Sequence, residues 1–179
     1  MVAANKTGDN NAILNVYSGK LTLNEMYMEG ANACIAVIGG TAYINDATVK
    51  ALDGGCCVHA SSSGVVNVNG MTFTCGGDDP NGPGACWAQD GGTINIYDGT
   101  FNAAPLNNKT HELEVLQANY CLFDFTGLSG YKAGNINVYG GTFLDFNPAS
   151  NYAGHSFLAA GYEVVQDGTT YTVRKASAK

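Results

Sequence analysis

The fold of this chain is decided by residues 92–101, which read Gly-Thr-Ile-Asn-Ile-Tyr-Asp-Gly-Thr-Phe. Ile94 and Ile96 alternate with polar residues, which is the period-two pattern of a strand with one buried face. An Asp-Gly turn follows, and Phe101 then returns to the apolar side. Four other stretches repeat this pattern, and they begin at Gly19, Gly40, Gly64 and Gly134.

The five copies share apolar residues at the second, fourth and ninth positions after the glycine. A unit of this length holds two or three short strands and cannot bury its own apolar face, so neighbouring units must stack to form a core. Stacking aligns equivalent apolar side chains in interior ladders, while the turns absorb differences in length between copies. The repeat therefore predicts an all-β fold, namely a parallel β-helix of about five coils.

The chain divides into three segments. Residues 1–9 are polar and are expected to be loose, 10–146 carry the repeats, and 147–179 differ in kind. Near the end, two strand-like runs flank an Asp-Gly turn, which predicts a β-hairpin that caps the C-terminal end of the stack. The first coil has no such cap, so we expect its open edge to be covered by upstream sequence or by a partner subunit.

The repeats at 92–101 and 134–143 resemble those of right-handed parallel β-helix proteins of the phage fibre, tail-spike and bacterial surface-adhesin type, and the resemblance covers roughly residues 10–174. The ending, 146–173, is similar to tails of β-helical proteins from gut bacteria and their phages. The resemblance implies a single-stranded right-handed parallel β-helix. For function, it implies a non-enzymatic structural or adhesive module at the virion or cell surface, namely a phage virion fibre or capsid decoration protein. The alternative is a fragment of a secreted bacterial surface adhesin, and a polysaccharide lyase or hydrolase is a lesser one.

Charge and hydropathy argue against two classes of function. The formal net charge is −7 and Arg174 is the single arginine, whereas nucleic-acid binding needs clustered Lys and Arg. No apolar run approaches the length that crosses a membrane, and no signal peptide is visible at the N-terminus. We therefore expect neither nucleic-acid binding nor membrane insertion.

Cysteines occur in the four strand-like segments that precede the last four repeat glycines: Cys34, Cys56, Cys57, Cys86 and Cys121. One thiol per coil at a matching place favours an interior row of reduced thiols. Disulfides are the alternative, with Cys75 and Cys86 as the first candidate pair. A metal site is disfavoured, because adjacent cysteines are not a Cys-x-x-Cys pair.

No catalytic constellation is evident. Asp78 and Asp79 match the Gly-Asp-Asp element of polygalacturonase-like hydrolases, but the other motifs of that family are absent. The pair lies in a Gly/Pro-rich loop, so we interpret it as solvated acids or, at most, a weak Ca²⁺ site. His59 lies beside Cys57 without a third group to orient it, which favours an ordinary packed histidine. We expect no cofactor and no catalytic residue.

The outward positions of the repeats form nearly uncharged rows of Asn, Thr and Tyr, and one predicted row joins Asn24, Asn45 and Asn69 to Tyr97 and Tyr139. Such a lattice can hydrogen-bond to and stack on sugar rings, or it can form a subunit interface. A plain solvated face is the third interpretation, and ice binding is disfavoured because a regular Thr-x-Thr array is absent. The candidate glycan- or subunit-contact residues are Tyr43, Asn67, Asn95, Tyr97, Asn137 and Tyr139.

The low charge of this face and the uncapped first coil together predict association. Few residues on the face would repel a second copy of the chain, and closed symmetry limits the number of subunits. We expect a homo-oligomer, a trimer before a dimer, or docking to virion or cell-surface proteins through the N-terminal end.

Overall fold

The computed structural model describes residues 2–4, 12–30, 33–51, 56–75, 85–102, 123–124, 132–150 and 156–177. Every regular element in these ranges is a strand, so the predicted all-β class is confirmed. In chain order the strands are β1 (Val2–Ala4), β2 (Leu14–Val16), β3 (Lys20–Asn24), β4 (Tyr27–Gly30), β5 (Ala33–Val37), β6 (Thr41–Asn45), β7 (Ala47–Ala51), β8 (Cys56–Ala60), β9 (Val65–Cys75), β10 (Cys86–Ala88), β11 (Thr93–Asn102), β12 (Phe123–Asp124), β13 (Asn135–Val138), β14 (Gly141–Leu144), β15 (Tyr162–Asp167) and β16 (Thr170–Lys175).

The strands form two sheets, and neither sheet is closed. The larger sheet follows the order β1-β4-β7-β9-β11-β14-β16-β15, and β3, β6 and β13 extend it alongside β9 and β11. The smaller sheet follows the order β12-β10-β8-β5-β2. Neighbouring strands come from successive repeats and run parallel, except where β16 pairs antiparallel with β14 and β15. Each strand of a repeat therefore pairs with the equivalent strand of the next repeat.

The apolar positions of the repeats line up in three buried rows. The ninth-position row joins Met28, Val49, Phe73, Phe101 and Phe143 through strand register. The second- and fourth-position rows contain Leu21, Leu23, Ala42, Ile44, Val66, Val68, Ile94, Ile96, Ile136 and Val138. All of these side chains are buried except Leu21, which is half-buried in the outermost strand of its row. The predicted inside positions are therefore confirmed.

A fourth buried position, the seventh after the repeat glycine, was not predicted. Met26, Ala47 and Met71 occupy it in the first three repeats and are all buried. In the fourth repeat it is Gly99, where an added Cβ would lie 2.9 Å from Cε2 of Phe101 and 2.6 Å from the Met71 carbonyl oxygen. In the fourth repeat the Phe101 ring thus occupies space that a side chain at residue 99 would need.

The N-terminal segment contains a strand. Residues 1–9 are predicted to be loose, yet Val2–Ala4 forms β1 and pairs in parallel with β4. Backbone groups at the outer edge of β4 gain hydrogen-bond partners in this way. On the same side of the molecule β2 and β3 are the outermost described strands of their rows.

The predicted C-terminal hairpin is present. β15 and β16 pair antiparallel around Gly168, whose φ of 59° suits a tight turn. β16 also pairs with β14, so the hairpin lengthens the larger sheet. Two buried rings, Phe146 and Phe157, pack 6.3 Å apart beside Phe143 and continue the apolar core towards this end.

We expect Ile96→Asp to lower the free energy of unfolding by several kcal/mol, roughly 3–5, because it places an unpaired charge in a fully buried row. Chemical denaturation of the purified variant measures this loss. Thr100→Asp, at an exposed position of the same strand, is the matched control and should change stability by less than about 1 kcal/mol. Equal denaturation midpoints for Ile96→Asp and the parent would refute the inside assignment.

Candidate functional site

The candidate site is the outward surface of β6, β9, β11 and β13. Strand register aligns Tyr43, Asn67, Asn95 and Asn137 in one row across these strands. Because side chains alternate along each strand, the row faces away from the buried isoleucines and valines of the same strands. We call the surface formed by Asn67, Asn95, Tyr97, Asn137 and Tyr139 the Asn/Tyr face.

The asparagines of this face form a hydrogen-bonded ladder. Nδ2 of Asn137 donates to Oδ1 of Asn95 at 3.0 Å, and Nδ2 of Asn95 donates to Oδ1 of Asn67 at 3.1 Å. A side-chain amide has two donor hydrogens and two acceptor lone pairs, so each residue keeps hydrogen-bonding capacity after joining the ladder. The ladder therefore fixes the orientation of the amides and leaves them able to bind a further polar group.

The predicted row that joined three asparagines to two tyrosines is wrong at the junction between Asn69 and Tyr97. Asn24, Asn45 and Asn69 do form an amide ladder, with hydrogen bonds of 2.7 and 2.8 Å. The register between β9 and β11 shifts after Ile96, however, so Asp98 and not Tyr97 lies opposite Asn69. This irregularity displaces Tyr97 from the ladder.

The two tyrosines instead form their own aromatic pair. The rings of Tyr97 and Tyr139 stack with centroids 4.8 Å apart and planes 17° apart. Tyr162 of the hairpin packs edge-on against Tyr139, with 5.4 Å between centroids. Tyr97 remains 44% exposed, so its ring is held from one side and open to solvent on the other. The sequence pattern did not point to Tyr162, because the hairpin lies outside the repeat.

Tyr43 belongs to the row but not to the aromatic pair. Nζ of Lys20 lies 4.5 Å from the centroid of the Tyr43 ring, a cation–π contact. Tyr43 precedes Asn67 in the row and lies two strands from β11. The structure therefore brings together five of the six predicted contact residues. The sixth, Tyr43, lies beside Asn67 in the row, and its ring contacts Lys20.

A second polar cluster lies on the smaller sheet. His59 and Trp87 are register partners on β8 and β10, and their rings stack with centroids 4.4 Å apart. Nε2 of His59, Nε1 of Trp87 and Oε1 of Gln89 are buried without a hydrogen-bond partner. Burial lowers the pKa of His59 to about 4. His59 is therefore a packed histidine whose Nε2 atom is buried. The sequence did not single out Trp87, because a three-residue strand carries no alternation pattern.

The predicted alignment of the cysteines in one row is wrong for Cys34 and Cys86, because strand register does not place them opposite one another. Cys34 and Cys86 are buried thiols, and neither forms a disulfide, so the alternative pair of Cys75 and Cys86 is not formed. Cys86 lies opposite Val58, whose partner on β5 is Ile35, the residue after Cys34. The two thiols therefore occupy neighbouring rows. The other four cysteine side chains lie outside the described residues.

Within the described ranges, no group of three or more His, Cys, Asp or Glu side chains is placed to hold a metal ion. Asp78 and Asp79, the weak Ca²⁺ candidates, lie outside those ranges, as does the segment 103–119. No helix in the described part of the chain has the length and apolar character needed to cross a membrane. The chemistry available at the Asn/Tyr face is therefore hydrogen bonding and ring stacking.

Comparison of the chain with protein-family models, with curated proteins and with solved structures finds no match in any of the three. Functional inference therefore depends on the geometry of the surfaces described above.

We expect the stability of the protein to fall as the pH is lowered from about 6.5 to about 4. In this window the unfolded chain protonates His59 at its ordinary pKa of 6.5, whereas the folded chain, with the pKa lowered to about 4, does not. The unfolded state thus binds more protons, and the loss contributed by this group amounts to at most about 3 kcal/mol. Below pH 4 the contribution stays constant.

Urea denaturation at a series of pH values measures this dependence. His59→Phe keeps an aromatic ring against Trp87 and removes the titrating group, so its stability should depend less steeply on pH over the same window. An identical pH dependence in the variant and the parent would contradict the assignment to His59.

Proposed function

We propose that this chain is a non-enzymatic structural or adhesive module with a single-stranded right-handed parallel β-helix, and that its Asn/Tyr face binds glycan. The observation that carries the proposal is the exposed Tyr97–Tyr139 stack, held in place beside the amide ladder. An aromatic platform and fixed amides are the two elements that recognise the apolar face and the hydroxyl groups of a sugar ring.

The β-helix part of the proposal is supported by the way one repeat follows another. The second repeat unit contributes β5, β6 and β7, and each of these pairs in parallel with the equivalent strand segment of the next unit. The same alignment recurs between β8 and β10 and between β9 and β11. Stacking of this kind buries a continuous core that no single repeat could bury alone. The right-handed sense follows from the sequence resemblance.

Subunit contact is the second candidate for the same face. The face carries no charged side chain, and an exposed tyrosine next to amides is typical of the residues enriched at interfaces. The outer edges of β2 and β3, which have no partner among the described strands, further support association. On this basis we propose a homo-oligomer, with a trimer favoured, or docking onto a larger assembly. The resemblance to phage fibre and surface-adhesin proteins supports a virion or cell-surface location.

We expect Tyr97→Ala and Tyr139→Ala each to weaken glycan binding roughly five- to ten-fold, because each removes one ring of the stacking platform. Tyr97→Phe should retain most of the affinity, since stacking needs the ring and not the hydroxyl. A glycan array, followed by calorimetry with any oligosaccharide that binds, measures the effect. Tyr17→Ala is the matched control, because Tyr17 is 69% exposed and lies outside the face.

Light scattering over a wide range of protein concentrations tests the second candidate. If the face is a subunit interface, the parent should be oligomeric and Tyr97→Ala should dissociate it at concentrations where Val165→Ala, at a 40% exposed position of the hairpin, remains assembled. A parent that is monomeric throughout and binds no glycan on the array would contradict the proposed function.

A further inference from the structure

A pocket of about 290 Å³ lies where the two halves of the larger sheet bend into one another. Equivalent positions of three successive repeats line it, the sixth to the eighth after the repeat glycine. We call it the corner pocket. Its sixth-position residues are Asp46, Gly70 and Asp98, and its eighth-position residues are Thr48, Thr72 and Thr100.

Packing places the carboxylate of Asp46 over Gly70. Asp46 has a φ of 52°, and its Oδ1 lies 2.6 Å from where a Cβ on residue 70 would be. Any side chain at residue 70 would displace this carboxylate and fill the pocket. The glycine therefore both opens the pocket and allows the carboxylate of the preceding repeat to project into it.

The second carboxylate is oriented by its own backbone. The amide nitrogen of Gly99 donates to Oδ1 of Asp98 at 2.8 Å, which leaves the other oxygen available. Ion pairs in the described part of the chain join Lys50 to Glu29 and Arg174 to Glu163, and none neutralises Asp46 or Asp98. The carboxylates of Asp46 and Asp98 can therefore accept hydrogen bonds from a ligand in the pocket.

The separation of the two aspartates decides between ligands. Asp46 lies in the bend between β6 and β7, two strand spacings from Asp98 on β11, so their backbones are about 9–10 Å apart at the usual strand spacing. A Ca²⁺ ion needs six to eight oxygen ligands within about 2.3–2.6 Å, and no group of three or more possible metal-ligating side chains lies together in the described part of the chain. A molecule of the size of a sugar ring, with hydroxyl groups on opposite edges, spans this distance.

A row of threonines supplies the remaining polar groups. Register aligns Thr48 with Thr72 and Thr72 with Thr100. Each hydroxyl can donate one hydrogen bond and accept two, which matches the mixed donor and acceptor character of sugar hydroxyls. This row lies beyond the bend, on the second half of each strand, and for that reason it was not among the outward rows predicted from the sequence.

We propose that the corner pocket is a subsite for one pyranose ring of a neutral glycan, whose hydroxyls donate to Asp46 and Asp98 and exchange hydrogen bonds with the threonines. An acidic sugar is disfavoured, because both carboxylates would repel it. The pocket is separate from the Asn/Tyr face, but Tyr97 immediately precedes Asp98 in the chain, so one oligosaccharide can contact both surfaces. The pocket does not depend on the function proposed for that face.

The experiment is a titration of the ¹⁵N-labelled full chain with neutral hexasaccharides of glucose, galactose, mannose and N-acetylglucosamine, followed by amide chemical shifts. We expect at least one of these sugars to shift the amides of Gly70, Gly99 and Thr100 in a saturable manner. Asp46→Asn and Asp98→Asn keep the side-chain shape and should weaken that binding roughly ten-fold or more, since each removes a charge-assisted hydrogen bond. Asp167→Asn, at an exposed position of the hairpin, is the charge-matched control and should leave the affinity unchanged.

The outcomes separate the two surfaces. Shifts at Gly70 and Gly99 that spare Tyr97 and Tyr139 support the corner pocket and count against the Asn/Tyr face. Shifts confined to the two tyrosines support that face and overturn the pocket. The pocket is also overturned if no sugar shifts its amides, or if CaCl₂ shifts them and the sugars do not.

Discussion

The register between parallel strands one repeat apart is the constraint on which the rest of the structure depends. Because side chains alternate along a strand, a slip of one residue would turn every ladder inside out. The buried row through Ile94 and Ile96 fixes the register from the inside. On the outer surface, the amide ladder of Asn67, Asn95 and Asn137 depends on the same register. Core and surface are therefore specified together, and the candidate face is a consequence of how the core packs.

The two proposed binding surfaces, by contrast, adjoin where that register is broken. The shift after Ile96 moves Tyr97 out of line with Asn69, while the Tyr97 ring stacks on Tyr139 of the next repeat. The same irregularity brings Asp98 opposite Asn69, beside the corner pocket. Strand irregularities re-aim side chains in this way because the extra residue need not follow the alternation of its neighbours. This irregularity therefore lies at the boundary between the two proposed binding surfaces.

The sequence was informative where a pattern recurs and uninformative where contact depends on register between short strands. The buried rows and the hairpin follow from periodicity and turn chemistry, and five of the six face residues do lie together. The stacking of Trp87 on His59 and the offset between Cys86 and Cys34 depend on the pairing of β10 with β8. A strand of three residues offers no alternation from which that pairing could be read. Tyr162 lies in the hairpin, outside the repeat, and the corner pocket lies at the bend, where the alternation of the outward rows ends.

The sixth position of the repeat shows why acidic residues and glycines collect at the bend. Its occupants are Glu25, Asp46, Gly70, Asp98 and Gly140, whereas the fourth position is always a large aliphatic residue. Packing determines the fourth position, because each side chain there is enclosed by the repeats on either side. The sixth position is at least partly exposed in the first four repeats, and its main requirement is a backbone that can turn, which Gly and Asp meet readily. Acid and glycine can therefore alternate there at little cost to the core, and that alternation creates a pocket with a carboxylate on each side of a gap.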